Sequence, residues 1–236
     1  MIHTVLLDLD DTILDFHKAE ALALSDTLLA LGIAPEPDRV RLYSEINAAQ
    51  WRRLEAGEIT RAEVLTSRFA LLFQALGVER SCELAQQLYE ERLSQGHYFI
   101  DGAVEMLQTL SKKYALFLVS NGNLRVQEGR LKSAAISQYF QDIFISERIG
   151  ADKPSRAFFD ACFARIPGLD RSGCVIVGDS LTSDIRGGIN AGIRTIWFNP
   201  ARRPPAFDVH HDHEIHALHE HAPLLRSLCA QTENGE

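Results

Sequence analysis

Five short apolar runs, 3–9, 115–120, 142–146, 174–179 and 195–199, set the limits on what this chain can fold into. Each is a strand's length, and the later ones are separated by helical stretches of roughly 10 to 20 residues. Strand–helix alternation of this kind predicts an α/β fold with a doubly wound, Rossmann-like parallel sheet. Ligands of such sheets bind outside the carboxyl ends of the strands, where the strand order reverses. Asp8, Ser120 and Asp179 all stand where a predicted strand ends. The chain has 236 residues, enough for one such domain and a sizeable insertion, and 46% of them are hydrophobic, enough for a core.

The alternation breaks between residue 17 and about residue 97, where no strand signal occurs. Val64, Leu65, Phe69, Leu72, Phe73 and Leu76 recur there at helical spacing, Thr60 and Glu63 form a capping box, and Gly77 supplies a stop. Gly32, Gly57 and Gly96 punctuate similarly, and Pro35 and Pro37 mark a loop. The expectation is an inserted bundle of about four helices over 17–97, with 1–16 and 98–236 forming the sheet domain. After a proline-rich loop at Pro200, Pro204 and Pro205, an edge strand near 213–216 and a short helix to Cys229 are expected, with Gln231 to Glu236 frayed.

Asp8 and Asp10 lie two apart at the end of the first strand, so both point to the same side of it. Two like charges so close require a shared proton or a cation between them. A purely structural strand has no reason to carry that cost; a catalytic strand end does. The net charge of −8 argues against a nucleic-acid polymer as partner, because such binding draws on broad positive charge. Cys82, Cys162, Cys174 and Cys229 form no C-x-x-C pair and read as reduced thiols of a cytoplasmic protein. The first apolar run is interrupted by Asp8, unlike a signal peptide, and no run approaches the roughly 18 apolar residues of a membrane span.

Four separated signals converge. They are Asp8-x-Asp10-x-Thr12; a strand ending in Ser120-Asn121-Gly122; Lys153 before Pro154 at a helix start; and Gly178-Asp179-Ser180 followed by Asp184. In this order, at strand ends, the set resembles the haloacid dehalogenase-like hydrolase superfamily, and the resemblance covers nearly the whole chain. The position of the helical insertion looks like that family's first type of cap. The resemblance implies a phosphatase core with a helical cap. It makes Asp8 the nucleophile that forms an aspartyl-phosphate, Asp10 the general acid and then base, and Lys153 the group neutralising developing charge. Ser120 and the Asn121 backbone donate to phosphoryl oxygens, and Mg²⁺ is held by Asp8, Asp179 and the Asp10 carbonyl. Asp184 supports the metal directly or through water. Thr12 is left as a brace. These roles also suit the physics of phosphoryl transfer, which needs an in-line nucleophile, a proton donor and local positive charge. One divalent cation and one lysine leave the pocket locally positive inside an acidic molecule. A dehalogenase, which releases halide and needs no proton donor, lacks the second aspartate; Asp10 therefore favours phosphate esters.

Other features have plainer readings. Gly187-Gly188-Ile189-Asn190-Ala191-Gly192 lacks the lysine of a P-loop and is expected to let a helix pack closely on the sheet. His210, His211, His213, His216, His219 and His221 have no supporting ligand spacing and read as solvated. The segment Asn47 to Trp51, the run Leu54 to Thr60, Arg68-Phe69, Ile145-Ser146-Glu147 and the stretch Ser183 to Gly192 resemble the YjjG-type pyrimidine 5′-nucleotidase branch. That implies nucleoside 5′-monophosphates such as dUMP, UMP or dTMP as substrates; residue type and position offer Trp51 to stack the base and Asn47 to hydrogen-bond it, although Trp51 with Leu54 reads first as core of the helical insertion. The alternatives are a phosphatase of N-acylneuraminate-9-phosphate, phosphoglycolate or a sugar phosphate, a phosphosugar mutase, and an idle binding protein that kept the fold. The oligomeric state is left open.

Overall fold

Strands β1 (Thr4–Leu7), β2 (Ala115–Ser120), β3 (Asp142–Ile145), β4 (Cys174–Gly178), β5 (Arg194–Phe198) and β6 (His213–Ile215) form a six-stranded sheet in a computed structural model that describes residues 1–205 and 209–233. The order is β3-β2-β1-β4-β5-β6, with every neighbouring pair parallel. β1 and β4 are buried along their whole length, which is why their sequences run apolar without alternation. The order reverses between β1 and β4, so the switch-point crevice opens at the carboxyl ends of those two strands.

The helices are α1 (Phe16–Ala30), α2 (Pro37–Glu55), α3 (Arg61–Leu76), α4 (Cys82–Leu93), α5 (Ala103–Leu110), α6 (Leu124–Ala134), α7 (Ser146–Ile149), α8 (Arg156–Phe163), α9 (Arg186–Ala191) and α10 (His221–Glu233). The expected edge strand exists as β6. The end expected to fray is helical through Glu233, and 234–236 lie outside the described residues. Among the described residues no helix is long and apolar enough to cross a membrane.

By its contacts the chain divides into two compact units. The first comprises Met1–Asp15, Phe99–Leu124 and the chain from Ala135 onward. One face of its sheet is covered by aromatic packing, with Phe117 and Phe144 meeting Phe158, Phe159 and Phe163 of α8. Phe158 and Phe159 pack edge to face with centroids 5.4 Å apart. Cys162 and Cys174 are buried in this core, and burial pushes each thiol up to about 12. Cys82 is also a free thiol, as expected for structural cysteines. The glycine-rich stretch does what close packing requires. A Cβ on Gly188 would lie 2.6 Å from side-chain carbons of Ile176 and Thr195, so only glycine lets α9 rest on β4 and β5.

The second unit comprises Phe16–Tyr98 and Arg125–Ala134. Four helices fill 17–97, and α6 packs with them: Arg130, fully buried, donates from Nε to the Gly96 carbonyl at 3.0 Å. Thr60 and Glu63 form the capping box, with the Glu63 carboxylate accepting the Thr60 N–H at 2.7 Å. The core holds Tyr43, Phe69 and Tyr89, with ring centroids 5.0 to 5.7 Å apart. A polar chain runs through this unit. Glu20 accepts from the Asn47 amide at 2.7 Å and from Ser44, and the Asn47 amide oxygen accepts from Arg68 at 3.0 Å. The Asn47 side chain is therefore buried and engaged at both ends, which overturns its expected contact with a base. Trp51 is half-buried, with the Arg61 guanidinium 5.9 Å from its ring.

Candidate active site

The first unit gathers most of the predicted site at the carboxyl ends of its strands. Asp8 follows β1 directly, and its backbone N–H donates to Val177 of β4 at 3.0 Å, so the first carboxylate is set against the strand that delivers Asp179. Asp179 follows β4, and a five-residue π turn, Leu181–Ile185, brings Asp184 back towards the strand end. That return requires Gly178, where a Cβ would sit 2.3 Å from the Asp184 carboxyl. The Asp184 carboxylate in turn accepts the Ser180 N–H at 3.1 Å, closing the loop on itself.

Lys153 ties these segments together. Its ammonium donates to Asp8 Oδ1 and to Asp184 Oδ1, both at 2.6 Å, and to the Val119 carbonyl at 2.9 Å. All three donors are used on a side chain that is 1% exposed. Burial opposes the charged ammonium, but Asp184 and Asp8 overcome it and hold the amine well above its ordinary value.

The carboxylates feel the opposite pressure. Burial, and then the Asp184 charge, raise the Asp8 carboxyl well above the usual range against the pull of Lys153; Asp10 adds to the rise. Burial, with Asp184, Asp8 and Asp11, raises Asp179, and Arg203, with its guanidinium 3.7 Å away, only partly offsets it. Oxygens of Asp8, Asp179 and Asp184 lie within 4.8 Å of one another. One ammonium among three close carboxylates leaves uncompensated negative charge. Hard oxygen donors in that number suit a small divalent cation. Among the described residues this is the single such group of acidic, histidine or cysteine side chains.

The other predicted residues fall nearby. Asp10 is half-exposed beyond β1 and acts electrostatically on Asp8 without belonging to the three-carboxylate group. Ser120 ends β2 and is fully buried. Asn121 has a role that local sequence does not reveal. Its amide oxygen accepts the Lys153 N–H at 2.8 Å, and its amide nitrogen donates to the Lys153 carbonyl at 2.9 Å. The side chain is thus a bracket for the lysine's backbone. Ser146 accepts the Gly122 N–H at 3.1 Å and Glu147 accepts the Leu124 N–H, fixing the loop after β2.

The histidines are not uniformly solvated. His211 lies against Trp197 with ring centroids 5.2 Å apart, and its Nε2 is 3.6 Å from Glu214. His216 is 3.6 Å from the same carboxylate, and His221 is buried, whereas His210 and His219 are exposed. The segment's place under the end of β5, rather than its composition, decides which rings are covered.

A family profile for haloacid dehalogenase-like hydrolases matches residues 2–192. The HAD-hydrolase YfnB of Bacillus subtilis (strain 168) is 40% identical over 217 residues, covering 92% of each chain. Its crystal structure, bound to magnesium, superposes with a TM-score of 0.91, covering 95% of this chain and 98% of that one. The pyrimidine 5′-nucleotidase PynA of Streptococcus pneumoniae (strain ATCC BAA-255 / R6) is 38% identical and covers 83% of each chain. The pyrimidine 5′-nucleotidase YjjG of Escherichia coli (strain K12) is 27% identical, covering 94% of this chain and 96% of its own.

Proposed function

Because this chain belongs to the haloacid dehalogenase-like hydrolase family, we propose that it hydrolyses phosphate monoesters through an aspartyl-phosphate at Asp8, with Mg²⁺ as cofactor and pyrimidine nucleoside 5′-monophosphates as preferred substrates. The carrying observation is the Lys153 ammonium, 2.6 Å from both Asp8 and Asp184, beside a third carboxylate at the switch point of the sheet.

In the first step Asp8 attacks phosphorus, the phosphorus–oxygen bond to the alcohol breaks, and Asp10 gives its proton to the leaving oxygen. In the second, Asp10 takes a proton from water as the water oxygen attacks phosphorus; the bond to Asp8 breaks and inorganic phosphate leaves. Lys153 offsets charge on the phosphoryl oxygens, and Ser120 and the Asn121 N–H donate to them. When bound by Asp8, Asp179 and the Asp10 carbonyl, with Asp184 as ligand or support, Mg²⁺ supplies Lewis-acid neutralisation of the phosphoryl group. Lys153 also favours the ionised form of Asp8 that attack requires, against the burial that raises this carboxyl.

Substrate choice is assigned to the helical second unit, since the sheet unit's groups address only the phosphate. PynA and YjjG, both pyrimidine 5′-nucleotidases, support the nucleotide reading by matching this chain along most of its length. The test is a panel of monoesters compared by kcat/KM: dUMP, UMP and dTMP against purine nucleotides, sugar phosphates and p-nitrophenyl phosphate. Pyrimidine nucleotides should lead. A sugar phosphate or N-acylneuraminate-9-phosphate in front would overturn the substrate assignment while leaving the chemistry. Asp8→Asn should abolish turnover of every ester with the fold intact, and EDTA should silence the wild type until Mg²⁺ is restored. Wild-type rates in Asp8→Asn, or full activity in EDTA, would sink the mechanism.

A further inference from the structure

Asp179 and Asp184 sit on one short loop, and the Asp184 carboxylate holds only the N–H side of its first peptide, at Ser180. The Asp179 carbonyl is instead held by Trp197, whose indole N–H donates to it at 2.9 Å. Trp197 lies on β5 in register with Gly178 of β4, directly beside the point where the chain leaves the sheet. The ring is 1% exposed and shares a buried apolar cluster with Ile185 and Val209, against which the half-buried Leu181 packs. The indole therefore holds the loop at its first residue, and the cluster it belongs to takes in the start and the end of the π turn.

From this geometry we infer that Trp197 is a positioning residue for divalent-cation binding, an inference that rests on the metal-dependent reading above. Its polar edge fixes the peptide carrying Asp179, and its apolar face fixes the turn carrying Asp184. The two carboxylates are thereby held at the spacing a cation needs before one arrives. Three like charges repel, so without the indole the Asp179 peptide keeps only its Ser180 N–H contact to Asp184, the Asp179 carboxylate is freer to turn away, and binding has to reorder it. Trp197 reaches no reacting atom, and its removal should change how tightly the cation binds rather than how fast the loaded enzyme turns over.

Isothermal titration of the metal-free protein with Mg²⁺ tests this without using activity. Trp197→Phe keeps an aromatic ring in the same pocket and removes the donor. It should weaken Mg²⁺ binding about five- to tenfold, the scale of one neutral hydrogen bond, with kcat at saturating Mg²⁺ within about twofold of wild type. Val209→Ala trims the same cluster but leaves the indole N–H in place, and should bind Mg²⁺ within about twofold of wild type. If Trp197→Phe does not fold, a benzothienyl-alanine at position 197, with sulfur in place of N–H and nearly the same shape, takes its place in the titration. Unchanged affinity in the donor-free variant overturns the inference. Equal weakening by Val209→Ala also overturns it, because packing alone would then explain the effect. Both results would leave the phosphatase reading standing, provided wild type binds Mg²⁺ and hydrolyses esters. A wild-type protein that fails to bind Mg²⁺ overturns the inference and the metal-dependent reading together.

Discussion

At the scale of single residues, Lys153 is held by every donor it has while almost fully buried. Its three N–H donors meet two carboxylates and a carbonyl. Lys153→Met keeps much of the volume and leaves Asp8 and Asp184 buried without their cation. Removing one partner of a buried ion pair costs roughly 3–5 kcal/mol. The metal-free variant should melt well below wild type, Mg²⁺ should recover part of the loss, and kcat should fall at least about a hundredfold. Lys153→Arg should not rescue turnover, because a planar fork cannot point one donor at each of three acceptors. Calorimetry with and without Mg²⁺, and steady-state rates, decide it; an arginine variant at wild-type rate would show that charge alone suffices. Asp8 and Asp179 stand at strand ends that periodicity locates, whereas Lys153 and Asp184 lie in turns and were marked only by their place in the ordered set of four motifs. The Asn121 bracket was not: it joins residues 32 apart through backbone atoms, a pairing no local pattern encodes. The same holds for Trp197 and Asp179, which are 18 apart, since a tryptophan in an apolar strand reads only as core.

At the scale of elements, β1, β2, β4 and β5 were legible because strands of a parallel sheet buried on both faces need continuous apolar runs; the edge strand β6, His213–Ile215, has no such run, yet all six strands appear within a residue or two of their expected places. The four inserted helices were legible from Thr60, Gly77 and helical spacing. Which polar residues those helices would bury was not. Glu20 of α1 is 2% exposed and linked to Ser44 and Asn47 of α2, and Arg68 of α3 reaches Asn47 and Gln86. Helical spacing shows a stripe's position but not the side chains that meet across it. Burial raises the Glu20 carboxyl from its usual 4.5, despite hydrogen bonds from Ser44 and Asn47. A carboxyl raised on folding contributes stability below its unfolded value, and that contribution is lost as pH rises through the folded value. Glu20→Gln cannot titrate. The melting temperature of Glu20→Gln minus that of wild type should therefore grow as pH is raised from about 4.5 towards 7. A difference that stays flat across that window would mean that Glu20 is not strained by its burial.

At the scale of the whole molecule, the net charge of −8 and a substrate class that is itself anionic are reconciled only by local charge. The chain concentrates three carboxylates around one ammonium, which makes the metal-free fold less stable than it could be. Asp179 shows this best, since its carboxyl is raised well above 3.8 and Arg203, the cation that offsets this rise, is 3.7 Å away and largely exposed. Its folded form prefers the proton, so metal-free wild type should lose stability as pH climbs from about 4 through the folded value. Asp179→Asn presents a neutral side chain of the same shape. The metal-free variant should melt higher than metal-free wild type at pH 7.5, while activity is lost. Mg²⁺ at a hundred times its dissociation constant should stabilise wild type by about 2.7 kcal/mol and the variant by much less. The two proteins would then exchange rank or draw level as Mg²⁺ is added. A site built for a cation should show this trade between stability and function. A metal-free Asp179→Asn that melts below wild type would mean that the third carboxylate is held by structural partners and needs no ion.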